Sequence, residues 1–176
     1  NVSLYNQTAG RAIPPSPIVM CAGVVRDVGT VLGQALRRPG SVLVLVGEPR
    51  DGLDGSAYRR EVLRERGGPP PALSLEHEAR LQGFAIAVAE GRWAHAAHDV
   101  SDGGLATTLA EMLLASPPES GLGLEANLES LEVEPAVALF SERAAPAYEA
   151  GFDRLPRVSQ APREHGLAAW PNGTVT

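Results

Sequence analysis

Apolar and polar positions alternate along this chain in ways that separate its elements. The stretch "SVLVLVGE" (41–48) is apolar on both of its alternating faces. That pattern predicts a central strand covered on both sides. In 74–92, Leu81, Phe84, Ala85 and Val88 recur at i, i+3, i+4 and i+7 and predict an amphipathic helix. Ser74 is its expected N-cap, Glu76 and Glu78 suit its first turn, and Gly91 is expected as its C-terminal glycine. A short strand near 94–99 leads to a second helix over 101–116, stopped by "PPESG" (117–121). A shorter helix is expected over 58–66, halted by "GGPPP" (67–71). The valine-rich run "VMCAGVVRDV" (19–28) predicts a buried strand.

The two ends are less regular. Residues 1–9 read as a strand and a turn, and "AIPPSPIV" (12–19) as a rigid extended connector, because proline fixes φ and donates no hydrogen bond. Toward the other end, 122–128 suits a strand. The stretch 134–142 reads as a strand running into a turn, and 145–152 as a strand pairing with it. Residues 155–166 have helical spacing, but Pro162 should kink or shorten that helix, at ~3 kcal/mol if mid-helix. The segment 167–176 is strand-like. Helices packed on a mixed sheet, α/β or α+β in class, follow from this order. A domain boundary is expected near 29–40, and no internal repeat is visible.

Composition narrows the function. A chain of 176 residues with 44% hydrophobic and 20% charged content has enough apolar material for one core. A net charge of −6 argues against a general nucleic-acid binder, which needs a basic surface to displace phosphate counterions. All 15 basic residues are Arg, which excludes a lysine phosphate loop or Schiff base within these residues. Cys21 is the single cysteine; in its apolar run it reads as a buried thiol, and nothing implies an oxidising compartment. No apolar run reaches ~18–20 residues, so no membrane span is expected. The cytoplasm is the expected compartment.

Two stretches carry candidate chemistry. In "HDVSDGGLATTLAEM" (98–112), a strand passes into a helix through Ser101, Asp102, Gly103 and Gly104. Ser101 and Asp102 are natural caps, and the glycines let a neighbour approach the first turn closely. Ser101, Gly103 and Gly104 therefore define either an anion site at a helix N-terminus or a tightly packed capped helix; Asp102 would repel an anion and weighs toward the second. In "NVSLYNQT" (1–8), alternation sets Asn1, Ser3 and Tyr5 on one face. That row is either the lining of a polar pocket, with an Asn carbonyl suited to Mg²⁺ and a Ser to a phosphate or sugar, or a plain solvent face. His77, His95, His98 and His165 form no metal-ligand spacing, and there is no nucleophile elbow. Trp93 and Trp170 are expected to anchor packing.

"NVSLYNQT" followed by "AIPPSPIV", with "AHDVSDGGLATTLAEM" (97–112) further on, resembles phosphoribosylformylglycinamidine synthase, the large catalytic subunit of the three-component type. "GSAYRREVL" (55–63) and "ALFSE" (138–142) resemble two further segments of that family. The "DVSDGGL" motif is shared with aminoimidazole ribonucleotide synthetase, selenophosphate synthetase, thiamine-phosphate kinase and a hydrogenase maturation protein. The resemblance implies the C-terminal domain of the aminoimidazole ribonucleotide synthetase-like fold over 32–176. The last strands of an ATP- and substrate-binding N-terminal-type domain would lie at 1–31, and the whole would be the C-terminal part of a longer enzyme. It also implies a reaction: formylglycinamide ribonucleotide, ATP and glutamine-derived ammonia give formylglycinamidine ribonucleotide, ADP and phosphate, with Mg²⁺ on the phosphates. Implied partners are a glutaminase subunit and a small third subunit. By the same resemblance Asn1 matches a metal position and Ser3 a substrate position, while the catalytic histidine lies upstream, so the isolated piece is expected to be inactive. Sibling enzymes of the superfamily, or a non-catalytic packing module, are the competing readings. Asp54, the segment after Glu142, Pro162 and Asn172 depart from the family pattern.

Overall fold

The computed structural model describes residues 6–13, 19–47, 52–65, 67–69, 72–143 and 145–176. Its centre is β3, Val42–Val46, where alternation sends Leu43 and Leu45 into one core and Val44 and Val46 into another. Both sets are essentially unexposed, as an all-apolar strand requires. Around it lie β4 (Ala96–Asp99), β5 (Leu124–Ala126), β6 (Pro146–Ala150) and β7 (Ala169–Val175), in the order β4-β6-β3-β7-β5. The expected mixed sheet is antiparallel in every described ladder, so the α+β class holds in its antiparallel form. The ladder of β3 with β7 shifts register between Leu43 and Val44, skipping Asn172 as a bulge.

Helices cover both faces. On one face α2 (Leu75–Gly91) lays down Leu81, Phe84 and Val88, the predicted stripe, beside Val158 of α5 (Leu155–Ser159). Phe84 is fully buried against the rings of Trp93, Tyr148 and His165. Ser74 caps α2 by accepting the His77 N–H at 3.3 Å, as expected. The left-handed C-terminal residue is Arg92, however, with φ of 52°, rather than Gly91. Gly91 serves a different need: a Cβ there would overlap the Trp93 indole. On the opposite face lie α3 (Gly104–Leu114) and α4 (Pro135–Phe140), with Leu105, Leu109, Met112 and Ala138 in the core. Pro162 breaks the last helical stretch as predicted, into α5 and α6 (Ala161–Glu164).

Four expectations are corrected. Within 134–142 the chain forms the helix α4 rather than a strand, because Pro135 suits a first helical position and the Glu134 carboxylate caps the N–H groups of Ala136 and Val137. The strand at 145–152 therefore has no partner there, and β6 pairs with β3 and β4. Residues 19–28 form no strand: Val19, Met20 and Val24 are 79%, 88% and 93% exposed, and Cys21 is exposed. An apolar run becomes a buried strand only beside a neighbour, and no described strand lies along it. Upstream, β1 (Asn6–Thr8) and β2 (Arg11–Ile13) make an exposed antiparallel hairpin, so the expected connector begins as a strand. The short helix α1 is Ala57–Glu61, with Ser56 as its N-cap and Arg59 paired with Asp54 and Glu65.

Candidate functional site

The turn from β4 into α3 is the candidate the structure describes in full. Neither Ser101 nor Asp102 caps the helix. The N-cap is Gly103, with φ of 85° and no side-chain cap, and Gly104 also has positive φ. The Ser101 carbonyl accepts the Gly104 N–H at 3.0 Å, closing a tight turn that favours glycine. A Cβ on Gly104 would lie 2.6 Å from the Leu139 carbonyl oxygen and 2.6 Å from Phe140 Cα. Gly104 thus admits the backbone of α4 against the first turn of α3.

The space in front of that helix is filled from within. Glu142, just beyond α4, accepts the Gly103 N–H at 2.8 Å and the Ala57 N–H at 2.7 Å on the same Oε1. One carboxylate therefore meets the starts of α1 and α3, where unpaired N–H groups attract negative charge. This is where a ligand anion would sit, and the geometry supports packing of the Ser101, Gly103 and Gly104 turn over anion binding. Tyr58 of α1 stacks on Phe140 at 4.6 Å, closing the same contact. The exposed Arg60 guanidinium is raised above its ordinary value by its hydrogen bond to Glu61, with Glu142 and Asp102 adding to the effect.

The histidines have structural surroundings. His98 bridges β4 to α3, with Nε2 3.0 Å from Glu111 and Nδ1 3.3 Å from Asp99. His77 is buried. Burial holds His95 below the ordinary imidazole value; Arg38 and Arg154 add to this, and Glu149 and Asp153 oppose it. Burial likewise pushes the Tyr148 phenol up. Trp170 anchors packing as expected, donating Nε1 to the Gly47 carbonyl. Among the described residues no group of three His, Cys, Asp or Glu side chains is placed to hold a metal, and no described helix is long and apolar enough to cross a membrane. Asn1 and Ser3, the expected metal and substrate residues, lie outside the described residues.

Two acidic residues escaped the sequence reading. Glu142 closes the glycine turn, and Glu149 on β6 is fully buried while accepting the N–H groups of Arg37 and Arg38. The signal for Glu149 was a lone charge in the otherwise uncharged strand "PAYEA" (146–150).

A five-stranded antiparallel sheet with helices on both faces, with Glu142 and Glu149 engaged in joining its own elements, defines an α+β domain. The chain belongs to the AIR synthase related protein family, matching its C-terminal domain over residues 38–176. It is 40% identical, over 173 residues and 98% of its length, to phosphoribosylformylglycinamidine synthase subunit PurL of Acidiphilium cryptum, of which it covers 23%. It thus spans under a quarter of the length of that curated relative. The fold is similar to that of Thermotoga maritima PurL complexed with FGAR, with a TM-score of 0.68 and 21% identity, covering 83% of this chain and 25% of that one. The Thermotoga protein is also known complexed with ATP and as PurLQS. The fold is similar too to thiamine-monophosphate kinase of Stenotrophomonas maltophilia, with a TM-score of 0.53 and 17% identity, covering 84% of this chain and 51% of that one.

Proposed function

We propose that this chain is part of an ATP-dependent ligase that makes an amidine. In that reaction formylglycinamide ribonucleotide, ATP and glutamine-derived ammonia give formylglycinamidine ribonucleotide, ADP and phosphate. The observation that carries this reading is 40% identity to a PurL subunit across 98% of the chain. The fold shared with a PurL complexed with FGAR supports it. ATP phosphorylates the amide oxygen, and ammonia then displaces the phosphate. Mg²⁺, when bound, neutralises phosphate charge and orients the nucleotide.

Within this scheme Asn1 offers its carboxamide oxygen to Mg²⁺ and Ser3 donates a hydrogen bond to the ribonucleotide. Residues 1–31 belong to the domain that carries this site. Residues 32–176 are the domain packed behind it, a division supported by Leu36, 1% exposed in the core, and by the family match from 38 onward. The glutaminase subunit and a small third subunit are its proposed partners, a reading supported by the PurLQS assembly of the Thermotoga protein. The cytoplasm is the proposed compartment, and the chain alone is proposed to be inactive.

The test is to assay the longer protein with its partner subunits for the amidine ribonucleotide. Product formation is expected, with Asn1→Ala weakening Mg²⁺ dependence and Ser3→Ala raising the KM for the ribonucleotide. If the intact protein instead phosphorylates thiamine monophosphate and makes no amidine, the sibling-kinase reading replaces this one. The shared fold alone does not separate the two.

A further inference from the structure

We infer that Glu149 is a positioning residue. It fixes the backbone at 36–38 against the sheet and, through it, the segment that precedes the domain. Glu149 stands on β6 opposite Leu43 of the central strand and Ala96 of the edge strand, with no exposed surface. Its two oxygens divide their work: Oε2 accepts the Arg37 N–H at 2.9 Å and Oε1 the Arg38 N–H at 2.8 Å. Two successive main-chain N–H groups aimed at one anion make a nest whose geometry the anion dictates. A buried carboxylate without such partners would be strongly unfavourable, so the path of 36–38 is set by the position of Glu149.

The same stretch is held from its other side. Leu36 is 1% exposed, its N–H donates to the Met112 carbonyl at 3.4 Å, and its own carbonyl accepts the Ser116 hydroxyl at 3.4 Å. A little upstream, the Gly33 carbonyl accepts the Ala97 N–H at 3.0 Å, and Asp27 pairs with Arg92. Junctions between domains are ordinarily exposed linkers with few contacts. This one, at the start of the family match, is held by hydrogen bonds to β6, to the edge strand β4 and to α3. Apolar side chains could fill the same volume without a desolvation cost, so the retained charge is explained by the backbone geometry it enforces. The inference rests on the functional reading above, in which Asn1 and Ser3 lie on the segment before the junction. In that reading Glu149 acts on them through the main chain.

The experiment uses the longer protein with two variants. Glu149→Gln keeps the shape but leaves one acceptor and sets an N–H against an N–H. Leu36→Ala loosens the junction from the opposite side and leaves the carboxylate in place. Both variants are expected to raise the KM for the ribonucleotide about tenfold with kcat within about twofold, as loss of binding geometry does. Amide exchange at Arg37 and Arg38 should accelerate while that of Val42–Val46 stays protected. A merely structural role would instead lower apparent kcat through loss of folded enzyme and leave KM unchanged. KM and exchange both at wild-type levels in the variants would overturn the inference. If Glu149→Gln fails to fold, Leu36→Ala decides it by the same readings. If the wild-type protein makes no amidine, the functional reading fails, while exchange at Arg37 and Arg38 still tests the nest.

Discussion

Glu142 offers the sharpest test of how the glycine turn works. Its Oε1 takes two N–H groups, from Ala57 at 2.7 Å and Gly103 at 2.8 Å. Glu142→Ala strands both donors in a half-buried contact, and each unpaired donor costs about 1–3 kcal/mol. With water reaching part of the space, the expected loss is about 2–4 kcal/mol. Glu142→Gln keeps an oxygen that can accept both bonds and removes only the charge facing the start of α3, worth about 0.3–1 kcal/mol. Urea unfolding of the two variants, read at constant m-value, should therefore separate them several-fold. The vacated space in Glu142→Ala should also admit phosphate, so added phosphate should raise its midpoint and leave the wild type unmoved, beyond effects matched by a chloride control of equal ionic strength. Equal losses in Ala and Gln would show that the hydrogen bonds are not what matters. A wild type stabilised specifically by phosphate would show that the turn is an anion site after all.

Further outcomes follow from the same geometry. Gly104→Ala places a Cβ 2.6 Å from the Leu139 carbonyl oxygen at a positive φ, and should destabilise by at least about 2 kcal/mol in the same unfolding assay. His95, held below its ordinary value of 6.5, is favoured neutral in the fold. Its contribution is complete above that value and is lost as pH falls through the lower folded value, so the thermal midpoint should drop on acidification below about pH 6.5, and less steeply in His95→Gln. Val24→Ser, at a residue 93% exposed, should change stability of this chain by no more than about 0.5 kcal/mol. A loss of several kcal/mol on chemical unfolding would restore the buried strand at 19–28.

What could be read in advance depended on how local its cause is. β3 was legible because five consecutive apolar residues serve two cores at once, and α2 because its stripe and its Ser74 cap lie within one stretch. At 134–142 the apolar run concealed a helix start, since Glu134 and Pro135 signal initiation only when the short run after them is not taken for a strand. The run at 19–28 was read from composition, yet burial is a property of the neighbour, and none is described beside it. Gly103 and Gly104 announced a close approach without naming the partner, because Glu142 lies 39 residues away from Gly103. The Glu149 nest spans 111 and 112 residues, a separation over which no local pattern carries information. Asn1 and Ser3 lie outside the described residues and rest on resemblance alone.

The most direct test of the account is a calorimetric titration of this 176-residue chain with ATP and Mg²⁺. A domain whose helix N-terminus is occupied by Glu142, and whose buried acid Glu149 holds its own backbone, should give only dilution heats. A saturable isotherm with a stoichiometry near one would contradict it and would place a nucleotide site within these residues.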